Sequence, residues 1–352
     1  MDARIVFLFI YMCLLANNHA QITISNINPY NSSNHLINNV LLGGGVSANN
    51  VIYQGDPIQV GFINAINSNL GIDSGIVLST GNIIDLDPNF FGFGNIPSST
   101  NSDPDLLNVA NSVPPLINQT FNVTSIFDVA TLEFDFIPNS DTLSFNYVFG
   151  SDEYLAWINS EYNDVFGFFI SGPGITGPYS SPSGFPNGSI NIANVPNSTP
   201  PLPITISSVN NLLNSQYYID NQSTFPQTIS CNGFTTSFTA TTLVQCGEIY
   251  HIRLALADGS DANFDSWVFL EANSFSSNGS ISISSGIANS DTLLYEGCSA
   301  AYFTFNRPDA SNELIVYFDV DGTATPSLDY PEISDSVVIL AGQFTDTLFI
   351  YP

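Results

Sequence analysis

The sequence predicts an all-β chain: a large jelly-roll-like antiparallel sandwich followed by a second, incomplete β-sandwich. Three observations predict it. Short runs rich in β-branched and aromatic residues recur, separated by clusters of Gly, Pro, Asn and Ser. Charged residues make up only 10% of the chain, far below the ~25% of ordinary soluble domains. Asn, Ser and Thr supply the polarity instead, and these suit turns and strand faces better than long solvated helices. Hydrophobic residues, at 44%, are ample for a core.

Taken in order, the chain opens with Arg4, an apolar run over 5–16, polar Asn17, Asn18 and His19, and small Ala20. This reads as a secretory signal peptide over 1–20, cleaved before Gln21, with an apolar run too short to span a bilayer. No later segment has the length of a transmembrane span, so the expected location is secreted or cell-surface. The first domain is expected over 21–280. Its predicted strands are 131–136, 142–149, 165–170, 204–209, 234–243, 250–257 and 267–272. Residues 105–110 behind Pro104 read as a short helix, since proline is tolerated in a first turn, and 154–158 read as a single turn. Residues 173–203, crowded with Pro and Gly, read as a long loop over the sandwich surface. The small polar stretch SSNGSISISSGI (276–287) is read as a boundary. A second unit over 287–352 follows, with strands at 293–296, 301–306, 314–319, 337–340 and 347–351. The chain stops directly after a strand, so the second unit is expected to be incomplete and the chain to be part of a longer surface protein.

The charge balance is extreme. Asp and Glu number 31 against 3 Lys and Arg, a formal net charge of −28. After loss of Asp2 and Arg4 with the leader, Arg253 and Arg307 are the only bases, and lysine is absent. Nucleic acid is excluded as a partner, because phosphate binding runs on Lys and Arg; docking on anionic lipid by charge is excluded likewise. Mutually repelling carboxylates need neutralisation or screening, and divalent cations or a salty medium would supply it. Simple solubility outside the cell explains the same composition.

Of four cysteines, Cys13 lies in the leader. Cys231 and Cys246 flank an alternating run and are expected to staple a hairpin by a disulfide, leaving Cys298 over. Neither a CxxC nor a Cys/His cluster indicates zinc.

Two acidic segments carry the candidate chemistry. One, between the strands ending near 149 and starting at 165, holds Asp152, Glu153, Glu161 and Asp164; the other, ADGSDANFDSW (257–267), holds Asp258, Asp261 and Asp265. Calcium takes six to eight oxygens from carboxylates, Asn side chains and carbonyls. Asp152, Glu153, Asp164, Asp258, Asp261, Asn263 and Asp265 would suffice if the fold joins the two loops. No EF-hand spacing enforces this, and Asp and Asn capping their own turns is the plain alternative. A carboxylate pair with Tyr154, Trp157 and Tyr162 stacking on sugar rings would make a glycoside hydrolase. His251 lies within a strand-like run as a packed residue, and no GxSxG, HExxH or phosphate-binding loop occurs.

The segments GIDSGIVLSTGNI (71–83), FIPNSDTLSFNYVFGSDEYLAWINSEYNDVFGFFISGPG (136–174) and YHIRLALADGSDANFDSWVFLEANSFSS (250–277) together resemble the choice-of-anchor L domain. That family comprises exported bacterial surface proteins ending in varied sorting or anchoring modules. The resemblance implies an adhesion or surface-matrix role and carries over no catalytic residues. YEG (295–297), DGTATPSLDY (321–330) and VVILAGQFTDTLFI (337–350) resemble a Calx-beta module, which places Glu296, Asp321 and Asp329 at candidate calcium positions. The expectation is therefore a non-catalytic extracellular module. It would recognise a glycan or protein ligand, or serve as a cation-stiffened spacer, with calcium as its cofactor.

Overall fold

Strict alternation of large apolar residues builds the framework. A computed structural model describes residues 22–88, 102–223, 227–277, 282–288, 299–307, 310 and 313–351. The expected leader over 1–20, the expected strand 293–296, Glu296 and Cys298 lie outside these. Strands β1 (Thr23–Ser25), β2 (Val46–Gln54), β3 (Val60–Asn64) and β4 (Ser74–Ser79) precede β5 (Ile126–Pro138), β6 (Thr142–Ser151) and β7 (Val165–Ser171). Then come β8 (Ile190–Asn191), β9 (Tyr218–Asp220), β10 (Gly233–Thr235), β11 (Phe238–Leu243), β12 (Tyr250–Gly259) and β13 (Ser266–Glu271). One sheet runs β1-β3-β4-β13-β6-β10-β9, with β11 also on β6, and the other runs β2-β5-β12-β7-β8. All named pairings in both are antiparallel. Successive side chains of a strand face opposite sides. Leu143, Phe145, Tyr147 and Phe149 of β6 therefore meet Leu132, Phe134 and Phe136 of β5, Phe166 and Phe168 of β7, and Leu254 of β12 in one shared core. Phe275 closes that core, its ring 5.2 Å from each of Phe134, Phe136 and Phe145.

Each sheet also has an outer face. On the larger one Val77, Val148, Phe234, Trp267 and Phe269 form a second buried cluster. On the smaller one, helix α1 (Pro104–Leu116) lays Leu106, Val109 and Ala110 over Val165, Phe169, Ala255 and Ala257, and Val113 is buried further along it. Asp103 caps it, its carboxylate accepting from the backbone N–H groups of Asp105 (2.9 Å) and Leu106 (3.2 Å). The helix outlasts its expected end at 110 because this apolar stripe continues to Val113. Among the described residues no helix is long and apolar enough to cross a membrane.

Two expectations are corrected. Residues 204–209 form buried turns, not a strand: Ile204, Ile206 and Val209 are buried, while Ser208 Oγ donates to the Pro203 carbonyl and Asn210 Nδ2 to that of Ile206. Residues 234–243 are no hairpin: β10 and β11 lie end to end along the same strand, Phe234 opposite Gly150 and Leu243 opposite Thr142. Cys231 and Cys246 therefore sit beyond opposite ends of a run about 30 Å long at ~3.3 Å per residue, and they are not joined. A disulfide tolerates Cα atoms only up to ~7 Å apart. The loop 173–203 does more than cross the surface, since Ile175, Ala193 and Val195 enter the main core.

Beyond Ser277, β14 (Ser282–Ile287), inside the stretch read as a boundary, pairs along its length with β15 (Ala301–Asn306). β15 pairs with β18 (Thr345–Ile350), while β16 (Leu314–Tyr317) pairs with β17 (Ser336–Ile339). Phe305, Val337 and Ile339 make their small core.

Candidate functional site

Topology brings the two acidic segments together. The connection from β6 to β7 and that from β12 to β13 each cross from one sheet to the other. Register places their four ends at one rim: Ser266 stands opposite Ser151, and Ala257 opposite Val165. The backbone N–H of Asp152 donates to the Asp265 carbonyl at 3.0 Å. Asp164 is held from the second segment, accepting from Ser266 Oγ at 2.6 Å and from the Gly259 N–H at 3.0 Å. Its own N–H points at Glu153 Oε2, 3.5 Å away.

A third segment follows β4. Thr80 exchanges hydrogen bonds with Ser266, N–H to carbonyl at 3.0 Å and Ser266 N–H to Thr80 Oγ1 at 2.9 Å. The Asp265 carboxyl occupies the space a Cβ on Gly81 would need. Gln59 Nε2 ties this turn to β5, donating to the carbonyls of Thr80 (2.9 Å) and Asp128 (2.8 Å).

The rim is buried as well as acidic. Glu153, Asp164 and Asp258 are at most 1% exposed. Burial, then the Asp265 charge, pushes Asp152 up to about 7; burial, then Asp85 and Asp128, pushes Asp265 up to about 7. Burial also raises Asp164 despite its hydrogen bonds, and raises Glu153 and Asp258 with the Asp164 charge adding to both. No basic side chain relieves this. Arg253 is paired with Asp103 and Asp105, Arg307 donates to the carbonyls of Gln343 and Leu340, and lysine is absent. Asp258 Oδ1 and both polar atoms of the Asn163 side chain are buried without a hydrogen-bond partner, which is uncommon for buried polar groups.

Of the six predicted ligands, five converge: Asp152, Glu153, Asp164, Asp258 and Asp265. Asp261 is close enough to raise Glu153 and Asp164, yet its carboxylate caps its own loop, accepting from Asn263 N (3.1 Å) and Nδ2 (3.2 Å). Among the described residues, no three His, Cys, Asp or Glu side chains surround one point as metal ligands do. An ion at the rim would draw on fewer carboxylates together with Asn163 and main-chain carbonyls, oxygen donors that calcium accepts. Of the aromatics expected to stack on sugars, Tyr154 is buried and donates to the Val209 carbonyl at 2.8 Å. Trp157 and Tyr162 stay near the surface, edge to face at 5.0 Å. In the C-terminal unit, Asp321 and Asp329 each accept a loop N–H at 2.7 Å.

Asp85, Asp128, Asn163 and the Thr80–Gly81 turn escaped the sequence reading. Asp128 gave one signal, a lone charge in the apolar start of β5. The choice-of-anchor L domain family matches the chain over residues 23–276. No curated protein and no solved structure matches it.

Proposed function

The chain belongs to the choice-of-anchor L family, whose members are surface-associated or exported, and from that premise we propose a cation-stiffened recognition module. Calcium neutralises the rim, and the stiffened sandwich presents its faces to an extracellular glycan or protein. One observation carries the reading: five carboxylates from two inter-sheet connections, Glu153, Asp164 and Asp258 buried and Asp152 and Asp265 half-buried, gather at one rim where the chain has no base to offer. Such a group must hold protons or bind a cation. The unpartnered oxygens of Asp258 and Asn163 are ready donors to a cation. The rim does not suit a glycoside hydrolase, because Glu153, Asp164 and Asp258 are sealed from any sugar ring. Residues 287–352 are proposed as a partial Calx-beta-like continuation of the same surface protein.

Thermal melting in millimolar calcium and in chelator, at one pH above neutrality, tests this. A ligand that binds only the folded state raises the midpoint in proportion to RT ln(1 + [L]/Kd). A higher midpoint in calcium, with magnesium less effective, is expected. An identical midpoint in both removes calcium from the reading.

A further inference from the structure

The outer face of the smaller sheet holds a second polar cluster, away from the rim. β5 contributes Glu133 and Asp135, β12 contributes His251 and Arg253, and β7 contributes Ser171. Register makes them neighbours, with His251 opposite both Asp135 and Ser171, and Arg253 opposite Glu133. Helix α1 covers only part of this face. Beside it the loop carrying Ser180, Ser181 and Ser189 raises a wall, enclosing a cleft of ≈ 280 Å³ over Ser171, Glu133, His251 and Arg253. A second cleft of ≈ 460 Å³ opens beside it, reaching to Gln54 and Asp103. Arg253 and Glu133 line both, so the two form one furrow of the size that holds small ligands.

One polar atom in the smaller cleft, Ser171 Oγ, is buried and unused, and His251 Nε2 beside it meets only Glu133. Native proteins rarely leave such groups unpaired, and a ligand or ordered water is the usual partner. The other charges are already fixed. Asp135 Oδ1 meets His251 Nδ1 at 2.8 Å, Glu133 Oε2 stands 3.4 Å from Nε2, and the Arg253 guanidinium is held by Asp103 and Asp105. Four carboxylates face two bases, so the furrow repels anions such as phosphates, sulfates and uronic acids. Serine hydroxyls, carboxylates and a guanidinium offer little to an apolar guest. The Phe169 ring is covered by Arg253, whose Cζ lies 4.4 Å from its centroid. What remains complementary is an uncharged ligand that carries several hydroxyls, each able to donate to a carboxylate and accept from a serine, a guanidinium or an imidazolium. Asp135, His251 and Ser171 are also the residue types of a hydrolytic triad, but Ser171 Oγ makes no hydrogen bond to His251, so the arrangement favours holding over cutting.

We infer that this furrow, centred on Glu133, Ser171 and Arg253, is a binding site for a neutral saccharide. The inference rests on the recognition part of the proposed function and is independent of calcium at the rim. The test is binding of the full chain, in calcium, to immobilised glycans ending in glucose, galactose, mannose or N-acetylglucosamine, with sialylated and sulfated glycans as charge controls. Ser171→Ala and Glu133→Gln serve as site variants; the first removes an unpaired hydroxyl and should melt with the parent. The expected result is retention of at least one neutral glycan, loss of tenfold or more in affinity in each variant, and no retention of the anionic glycans. Retention of no neutral glycan overturns the ligand class, whatever calcium does to the melting point. Equal retention by parent and both variants overturns the site while leaving recognition elsewhere on the module intact.

Discussion

Stripping divalent ions and raising the pH from 5 to 8 should loosen the sandwich at its acidic rim. Burial and neighbouring charge carry Asp152 and Asp265 from 3.8 to about 7. A carboxyl whose folded pKa lies above its unfolded value holds its proton more tightly when folded. Its contribution is complete below the unfolded value, near 4, and is lost as the pH climbs through the folded value, near 7. At about 1.4 kcal/mol per pKa unit, one such carboxyl gives up roughly 4 kcal/mol in all, of which roughly 2.7 kcal/mol falls between pH 5 and 8. The pair gives up less than twice that, since part of each shift is their mutual repulsion. Against a net stability of about 5–15 kcal/mol, the loss is severe. Urea unfolding followed by tryptophan fluorescence, in chelator at the two pH values, measures it for the parent and for Asp152→Asn with Asp265→Asn. Asparagine keeps the shape of a protonated carboxyl, so the double variant should lose most of the decline and exceed the parent at pH 8. In calcium the order should reverse, because only the parent gains. Equal parent stability at both pH values in chelator, or an equally steep decline in the variant, would refute the reasoning.

Three further outcomes follow from the same packing. Gly81→Ala places a methyl group where the Asp265 carboxyl lies; the chain should still fold but lose most of its calcium-dependent rise in melting temperature. Phe275→Ala removes a fully buried ring packed on three others and should cost about 3–5 kcal/mol in urea unfolding; a cost near zero would mean that the core closes without it. His251 is raised above 6.5 because hydrogen bonds to Glu133 and Asp135 outweigh its burial. Its contribution is whole below that value and fades as the pH rises through the raised one. An NMR titration should show the elevated midpoint, and Asp135→Asn should lower it.

Period-two alternation made most of the sandwich legible in the sequence. Leu143, Phe145, Tyr147 and Phe149 could have served no surface strand, and β5, β7, β12 and β13 read the same way. Alternation misled at 204–209, where Ile204 and Ile206 are as apolar as any strand residue. There Ser208 and Asn210 claim the backbone carbonyls locally, a competition that periodicity does not register. It misled again at 234–243, where a run that looked like one strand breaks at 236–237 into two pieces sharing a partner, which separates the cysteines. At the rim, the residue types in 152–164 and 258–265 were visible, but their meeting depends on both connections crossing between sheets. Asp85 and Asp128 lay hidden in apolar runs, and Gly81 and Asn163 carry no charge to draw attention.

The seating of Arg253 has a practical corollary. Beyond Arg4, an arginine-directed protease finds two candidate bonds in this sequence, and the one after Arg307 precedes Pro308, a setting such enzymes refuse. The other, between Arg253 and Leu254, runs through a strand flanked on both sides by β5 and β7. Between residues 5 and 352 a trypsin-type digest therefore has a single target, reached only when that sheet parts. The speed of the cut becomes a stopwatch for how often the central strand is released.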